Sequence, residues 1–506
     1  MALHNRLSTV RDRISLAVRH RFEIDTRSLA VFRIAIGLLI LADLVRRSRA
    51  LTAFYTDFGV LPRTALISRS DPLHLSLHTL SGDAWVQAVF FLIAGVFAVA
   101  LTIGYRTSAA TIGSWIFLVS LHNRMPEVLN GGDFLLRLLL FWAMFLPLGA
   151  SWAVDNQQAS NTQTRTAVRS VAAAALLLQV VIMYSTNAAF KLSGDVWLQG
   201  KGLEYVFSLG QFTILFGDVL GSYPAVLHGL DYLWLGMITL SFLLIALPGL
   251  WRTGFVFLFI SLHLGMLFTM RIDLFALISI AGLLPFLPAA FWDIVLPQLS
   301  HYRLSRAIGQ WPQKLAGTLP VITVSGVPSL LSRWKTRLGT GVPLFFLVLI
   351  VLWNIQVLGY SQVYGHDVVP EEAESVIDLT RTDQYWNMFA PDPSPLMDGL
   401  SLRDYSKMAH GSTPFTVGLS AGIGRRIFQI RTRQHDGGNI SSGSGGTTPQ
   451  TAVISPTISV DAGIASMKPN WSMFQCTSWN SRRRSIPRPN RSIKSSWRTI
   501  TASCRS

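Results

Sequence analysis

A lysine stands at the end of an apolar helical segment, where a cation needs a physical reason. The run from Val171 to Tyr184 is apolar, and it leads to Lys191 within two helical turns. One interpretation is an amine that snorkels to the membrane interface beside an aromatic belt. The other is a catalytic base whose amine is kept neutral by partial burial. Periodicity alone favours the first interpretation.

Polar and aromatic side chains follow the apolar run around this lysine. Asn187 lies one turn before Lys191, and Asp195 and Trp197 come directly after it. A side chain four residues away shares the lysine's helix face. We therefore predict that Asn187, Asp195 and Trp197 frame the amine.

Two other places carry polar groups that are able to do chemistry. Asp133 and Arg137 are four residues apart, which puts both on one helix face for pairing, and His122 and Asn130 lie just before them. His263 is an imidazole among aliphatic residues, which is more often a satisfied core side chain than a catalyst, although such a ring also serves as an acid, a base or a donor at neutral pH. We predict that Asp133, Arg137, Asn130 and His122 shape a pocket.

The composition requires membrane-spanning elements to hold these residues. Half of the 506 residues are hydrophobic, only 14% are charged and the mean hydropathy is +0.40, which is not typical of a soluble enzyme. Apolar windows long enough to cross a bilayer recur along the first 360 residues. The sequence predicts an all-α, polytopic membrane helical bundle of about nine transmembrane helices. Their approximate bounds are 29–45, 84–104, 108–121, 134–150, 168–190, 226–247, 252–270, 274–290 and 342–360.

Charge placement predicts how this bundle sits in the cell membrane. The basic, amphipathic residues 1–28 and the loop 291–341 are rich in Lys and Arg, which favours a cytoplasmic N-terminus, although Arg46, Arg47 and Arg49 argue against it. An odd number of spans then places the segment 361–400 and the C-terminus outside. Lys191 and Asp133 would lie on the same extracytoplasmic face. Convergence of polar groups on one side of an apolar bundle is how a membrane-embedded site is normally made.

The last fifth of the chain differs from the rest. Residues 401–506 form a low-complexity, basic and poorly ordered tail with 15 Lys and Arg against three Asp, so most of the net charge of +16 lies there. A basic run of this kind ordinarily suggests polyanion binding, but we predict no nucleic-acid partner. We hypothesise a frameshift or a divergent terminus that begins between residues 399 and 410. Translation of the same DNA in the other two frames tests this.

Motifs of soluble enzymes are absent from the sequence. There is no phosphate loop, no dinucleotide glycine pattern and no serine in a nucleophile elbow. Both cysteines, Cys476 and Cys504, lie in the tail, and no His and carboxylate cluster has metal-ligand spacing. We predict no metal.

Five ordered blocks of residues resemble a known family. They read RSLAVFRIAIGLLILADLVRR, FYTDFGVLPR, SLHNRMPEVLNGGDFLLRLLLFWAMFLPLG, YSTNAAFKLSGDVWLQGKGLEYV and TDQYWNMFAPDPS. The chain over residues 27–398 resembles the HTTM family, the horizontally transferred transmembrane domain. That family is similar in its membrane part to vitamin K-dependent gamma-glutamyl carboxylase.

The resemblance implies roles for individual residues. KLSGDVWLQGKGLEY is similar to the segment that carries the carboxylase's catalytic lysine, which implies that Lys191 is the base, with His263 in support. Trp386, Asn387 and Met388 resemble an aromatic and methionine cluster that follows the last span. A menaquinol or vitamin K-type hydroquinone is the implied cofactor, and an unknown protein or small molecule is the implied acceptor.

Two departures from the carboxylase pattern stand beside these matches. Where the carboxylase has an asparagine pair and a histidine used in quinone oxygenation, this chain has Asn130, Gly131, Gly132 and Asp133. The large domain that holds the carboxylase's protein substrate is missing or replaced by the tail. Our leading hypothesis is a carboxylase-like membrane enzyme. The alternative is a non-enzymatic membrane binding, immunity or small-solute transport protein, in which Lys191 is an anchor.

Overall fold

The computed structural model describes most of the chain up to residue 390. The described ranges are 20–69, 76–158, 166–299, 311–321, 329–359, 368–390, 430–433 and 497–500. Contacts divide the chain into one unit of Met1–Pro395 with Val417–Ser420 and a second unit of Leu396–Thr416 with Ala421–Ser506. Residues 1–19 of the predicted basic N-terminus, and the predicted tail apart from two short strands, lie outside the described residues.

The first unit is a bundle of helices. Its longer helices are α1 (Thr26–Ser48), α4 (Ala84–Ile103), α5 (Thr107–Arg124), α6 (Gly131–Ala143), α8 (Val171–Leu192), α12 (Pro224–Thr239), α14 (Gly249–Thr269), α15 (Phe275–Leu283), α16 (Ala289–Leu299), α17 (Ser329–Val357) and α18 (Glu371–Thr380). The shorter helices are α2 (Leu51–Tyr55), α3 (Arg63–Arg69), α7 (Val154–Gln158), α9 (Asp195–Leu198), α10 (Gly202–Ser208), α11 (Gly217–Gly221) and α13 (Leu243–Ala246). Single 3₁₀ turns lie at Leu77–Thr79, Pro126–Val128 and Leu284–Phe286, and a short helical segment covers 311–316.

Side-chain caps define where the central helices begin. The carboxylate of Asp25 accepts a hydrogen bond from the Arg27 N–H at the start of α1, and Ser170 accepts one from Ala173 at the start of α8. At the start of α6, the side chain of Asn130 accepts from the Asp133 N–H while Asp133 accepts from the Asn130 N–H, which is a capping box. These bonds satisfy backbone N–H groups that have no partner within the helix.

Two helices form the centre of the bundle and others face outward. We compared the most apolar stretch of 18 residues in each helix. Of this stretch, 61% is buried in α1 and 72% in α8, whereas only 28% is buried in α4 and 22% in α14. α4 and α14 are nonetheless apolar and expose large side chains such as Leu92 and Phe257. An apolar helix that is exposed in the fold is one that faces lipid.

The structure confirms an all-α, multi-pass membrane bundle. Five helices in the described ranges are long and apolar enough to cross a bilayer, and the bent pair Phe275–Phe286 and Ala289–Gln298 raises the number to six. The other predicted spans coincide with α5, α6 and α12, of which α6 has 13 residues and α12 has 16. These two fall short of the roughly 20 residues that a full crossing needs. They pack against longer helices instead.

The strands within the described ranges are few and short. β1 (Ile24–Asp25) pairs antiparallel with β2 (Ala167–Val168), with Ile24 opposite Val168, so the starts of α1 and α8 are held together. In the second unit, β3 (Ile430–Arg433) pairs antiparallel with β4 (Trp497–Ile500).

Helix direction defines two ends of the bundle. We call the Lys191 end the one where α1, α5 and α8 finish and α6 begins. We call the Arg252 end the one where α1, α8 and α14 begin. Functional side chains predicted from the sequence lie at the Lys191 end or, in the case of His263, part of the way along α14.

Candidate functional site at the Lys191 end

The amine of Lys191 is buried in the last turn of α8. Lys191 is 2% exposed. Its Nζ lies 3.4 Å from the carbonyl oxygen of Phe389 and 3.0 Å from the centre of the Trp197 ring. Within the described part of the chain, no carboxylate lies within ion-pair distance of this amine. The contacts of Lys191 are therefore a backbone carbonyl and an indole face.

Residues 386–389 cover the lysine and are held by its predicted neighbours. Asn187 donates a hydrogen bond to the carbonyl of Trp386 at 2.6 Å, and the indole N–H of Trp197 donates to the carbonyl of Phe389 at 2.8 Å. The ring of Phe212 packs edge-on against Phe389, with centroids 5.3 Å apart. Asn187, Trp197 and Lys191 thus all contact the backbone of residues 386–389.

A glycine in α10 fixes the position of Trp197. A Cβ atom on Gly202 would overlap the indole ring, so only glycine lets α10 lie flat against Trp197. The N–H of the same glycine donates to Asp231 at 2.7 Å. α10 therefore links the indole under Lys191 to a carboxylate on α12.

That carboxylate, Asp231, was missed in the sequence analysis. It is fully buried, and its Oδ1 has no hydrogen-bond partner among the described residues. The charges of Asp231 and Lys191 act on each other, although the two groups are not in contact. A signal was present in the sequence, because an aspartate inside a predicted span is uncommon and is usually functional.

His263 lies deeper in the bundle than Lys191. Its Nδ1 contacts the carbonyl oxygen of Phe259 at 2.8 Å, one turn earlier in α14, and its Nε2 lies 3.4 Å from the hydroxyl of Tyr184. Tyr184 is on α8, two turns before Lys191. Both ring nitrogens thus have partners other than the lysine, so any influence of His263 on Lys191 passes through α8.

The predicted pairing of Asp133 with Arg137 does not form. Arg47, near the end of α1, donates to Asp133 at 2.5 Å and to Asp43 at 2.7 Å, while Arg137 donates to Asp383 at 3.1 Å. Arg47 is able to bind both carboxylates because Asp43 lies one turn before it and Asp133 lies across the helix interface. These tertiary pairs replace the local pair. We call the residues that form them the Asp133 network: Asp43, Arg47, Asp133, Arg137 and Asp383.

A partly exposed group borders this network. Asp273, in the loop between α14 and α15, lies 3.2 Å from Arg46, and its Oδ2 accepts a long hydrogen bond of 3.5 Å from the side chain of Asn130. Burial raises the pKa of Asp273, and the Arg46 guanidinium opposes that effect. The network therefore extends from α1 through the start of α6 to this loop.

His122 has the least satisfied side chain of the network. It is fully buried, both ring nitrogens lack hydrogen-bond partners among the described residues, and Nε2 lies 3.8 Å from Asp133. Ligand atoms of Asp43, His122 and Asp133 lie within 4.8 Å of one another, which is close enough to hold a metal ion. Arg47 already binds both of these carboxylates, so a cation would have to displace its guanidinium.

The segment 368–390 joins the two polar groups of residues. Arg381 donates to Asn123 at 2.6 Å, Asp383 binds Arg137, and a Cβ on Gly131 would lie 2.5 Å from the sulfur of Met388. The same segment supplies the carbonyls over Lys191. The segment 368–390 therefore contacts both the Asp133 network and Lys191.

The remaining predicted residues take less direct places. Trp386 is fully buried and its indole N–H donates to Gln384 at 2.7 Å, whereas Asn387 is partly buried and its carbonyl accepts from the Ala390 N–H. Asp195 is exposed at the start of α9. Of the three residues predicted to frame the lysine, Asn187 and Trp197 lie against the covering segment and Asp195 faces outward.

Comparison with known proteins identifies the domain. A family model for the HTTM domain matches residues 22–291, which is more than half of the chain. No curated protein and no solved structure gives a match. The matched region includes Lys191, Asp133, Asp231 and His263.

Proposed function

Because the chain belongs to the HTTM domain family and has five or six helices able to cross a membrane, we propose that it is a carboxylase-like membrane enzyme with Lys191 as its base. The observation that carries this proposal is a buried amine that has no carboxylate within ion-pair distance among the described residues. The resemblance of KLSGDVWLQGKGLEY to the carboxylase's lysine segment supports it. The proposed reductant is a menaquinol or vitamin K-type hydroquinone from the bilayer.

The balance of forces on Lys191 suits a neutral amine. Removing an ammonium from water costs several kcal/mol even after relaxation. A cation–π contact with a tryptophan stabilises the charged form by about 2 kcal/mol, and one long hydrogen bond to a carbonyl stabilises it by less than that. Both contacts occur here, and an ion pair that would make up the difference does not occur among the described residues. A neutral amine is able to accept a proton.

The surroundings of Lys191 fit a hydroquinone. The aromatic faces of Trp197, Phe212 and Phe389 suit its ring, and the unpartnered Oδ1 of Asp231 suits a hydroxyl donor. When bound, the hydroquinone supplies a hydroxyl group whose deprotonation starts oxygen-dependent chemistry. Lys191 would accept that proton at Nζ, and Asp231 would stabilise the resulting ammonium through its charge.

Access to the amine requires movement of the covering segment. Lys191 is only 2% exposed, and the carbonyl oxygen of Phe389 lies 3.4 Å from its Nζ. A reactant would reach Nζ after Phe389 and Met388 shift away from α8. Closure of the same segment would then exclude water from the base, which strengthens electrostatic interactions in the site.

Quinol-dependent oxygen uptake tests the proposal. The full chain in lipid nanodiscs would be given menaquinol, oxygen and labelled bicarbonate, and both oxygen uptake and label incorporation would be measured. We expect Lys191→Ala and Lys191→Arg to lower the rate at least about 100-fold, since a positioned base contributes about that much. Lys201→Arg, at an exposed lysine ten residues further on, is the matched control. Equal rates in the wild type and Lys191→Ala would remove the mechanism.

The same contacts support a second candidate, in which Lys191 only anchors the segment 386–389 of a non-enzymatic membrane protein. Lys191 and Trp197 both donate to the carbonyl of Phe389, as an anchor would. Arginine keeps the charge and the donors, so an anchor tolerates Lys191→Arg. A base does not, because a guanidinium stays protonated.

A further inference from the structure

A cavity of about 820 Å³ opens at the Arg252 end of the bundle. It lies among the residues before α1, the start of α14 and the start of α16. Lys191 and its neighbours are at the opposite end, so this cavity is separate from the site described above. Its lining is a mixture of charged and apolar groups.

The three acidic residues of the lining are already paired. Asp25 binds Arg27 at 2.8 Å, Asp293 binds the same guanidinium at 2.8 Å, and Glu23 binds Arg169 at 2.7 Å. Each carboxylate is thus held by a cation of this chain. Because Asp25 and Asp293 share the guanidinium of Arg27, these three carboxylates exceed their two cations by one negative charge.

Two cations of the lining have no acidic partner in the described ranges. Arg252 is 5% exposed and donates from Nε to the carbonyl of Leu244 at 2.6 Å and from Nη2 to that of Arg21 at 2.7 Å. Its Nη1 makes no hydrogen bond to a described residue. The Arg21 and Arg252 guanidinium groups are close enough to repel each other. With Arg27 and Arg169, these two cations exceed the three carboxylates of the group by one positive charge, which favours an anion.

The first turn of α14 adds to this positive potential. Pro248 and Gly249 line the cavity, the helix has 21 residues, and no side chain caps its N-terminal N–H groups. Gly249 has a φ of +50°, and a Cβ there would meet open space. A helix N-terminus that faces open space beside two guanidinium groups is suited to a phosphate.

Apolar side chains continue from the cavity along the outside of the bundle. Leu250 and Trp251 in the first turn of α14 are 55% and 78% exposed, and Phe257 and Ile294 lie further along α14 and α16 as exposed residues. The rings of Phe257 and Phe291 are 5.6 Å apart, so the two helices adjoin. An exposed tryptophan at a helix end is typical of the membrane interface. The anion-binding groups therefore lie where lipid headgroups lie.

We propose that this cavity binds the phosphate group of an anionic phospholipid. The phosphate lies between Arg21, Arg252 and the N-terminus of α14, and the acyl chains follow the exposed apolar faces of α14 and α16. The inference is independent of the proposed reaction at Lys191. It goes beyond that reaction by assigning a lipid-binding role to the other end of the bundle.

Native mass spectrometry of the full chain in detergent tests this assignment. Phosphatidylglycerol and phosphatidylcholine with identical acyl chains would be added in separate titrations. We expect about fivefold tighter binding of phosphatidylglycerol, and an approximately fivefold loss in Arg21→Gln, since one cation near a lipid surface contributes about that factor. Lys201→Gln removes one charge at the opposite end and is expected to bind as the wild type does.

Arg21→Gln is the main variant because Arg252 also holds backbone carbonyls, so Arg252→Gln risks misfolding. Equal binding of the two lipids, or equal loss in Arg21→Gln and Lys201→Gln, overturns the proposal. A third titration with inorganic phosphate separates the two sources of the anion. Displacement of phosphatidylglycerol only at phosphate concentrations well above those of the lipid supports a lipid site. Tight binding of phosphate without a lipid preference contradicts it.

Discussion

Two buried arginines at the Lys191 end are paired with carboxylates, whereas two buried arginines at the Arg252 end are not. At the Lys191 end, Arg47 is paired with Asp43 and Asp133, and Arg137 is paired with Asp383. At the Arg252 end, Arg33 and Arg252 are buried but donate to backbone carbonyls, at Leu148 and Trp152 for the first and Leu244 for the second.

The difference shows what each end is suited to bind. Carboxylates cancel the charge of Arg47 and Arg137 at the Lys191 end, whereas Arg124 at the end of α5 donates to the carbonyls of Leu61 and Thr56. Lys191 has no carboxylate within ion-pair distance among the described groups. Carbonyl oxygens satisfy hydrogen bonds at the Arg252 end without removing the net charge. One end therefore offers a base in a neutral network, and the other offers a positive site for an anion.

Breaking the carboxylate network is expected to have the largest effect on stability. Arg47→Met leaves Asp43 and Asp133 as buried charges with reduced compensation, and removal of one partner from a buried pair typically costs about 3–5 kcal/mol. Thermal unfolding in detergent, followed by size-exclusion chromatography, would measure the loss. Arg63→Gln is the matched control, because its partly exposed pair with Asp57 is worth less than about 1 kcal/mol. Equal losses in the two variants would contradict the network.

Arg252→Gln is expected to have a smaller effect than Arg47→Met. Glutamine keeps one donor for the carbonyl of Leu244, and no carboxylate is left unpaired. The expected loss is about 1.5–3 kcal/mol, as for hydrogen bonds that involve a charged group. The same unfolding assay would rank the two variants. A larger loss for Arg252→Gln would mean that the ends do not differ as described.

The smallest expected effect is a loss of stability in mild acid. His78 lies before α4, outside the spanning helices, with Nδ1 2.6 Å from the hydroxyl of Ser120, and burial lowers its pKa to about 3. The unfolded chain, with a histidine pKa of about 6.5, binds a proton that the folded chain does not bind, so stability is full above about pH 6.5 and falls as the pH drops toward 3. The expected loss from pH 7.5 to pH 5.5 is about 1.4 kcal/mol.

Unfolding temperatures at the two pH values would measure this loss, with His78→Gln as the comparison. Glutamine does not titrate, so its unfolding temperature should change less between the two pH values than that of the wild type. An equal change in both proteins would show that another group controls the acid response.

Much of the fold was predictable because the length and the apolar composition of membrane helices are visible in the sequence. The bundle, the membrane class and the family followed from residues alone. The number of crossings did not, since α6 and α12 are apolar but short and α5 ends in the polar residues His122, Asn123 and Arg124. A hydropathy window does not separate a helix that crosses the bilayer from one that is buried inside the bundle.

The sequence predicted that Asn187, Trp197 and Lys191 lie together, but it did not predict the contacts of the other residues. Asn187, Trp197 and Lys191 are close in sequence and meet in the fold. Arg137 pairs instead with Asp383, 246 residues away, and local spacing carries no information about such a partner. Asp231 was visible as an acid in an apolar segment, but its link to Lys191 depends on how α10 packs. The catalytic roles of Lys191 and His263 stay predictions.

The charge of Lys191 is the most direct test of the central claim. The chain has seven lysines, so biosynthetic labelling with ¹³Cε and ¹⁵Nζ lysine gives few signals in the NMR spectrum of the protein in nanodiscs. We expect one lysine with the chemical shifts of a neutral amine at pH 7, and that signal should disappear in Lys191→Arg. A spectrum in which Lys191 has the shifts of an ammonium at pH 7 would contradict its role as the base.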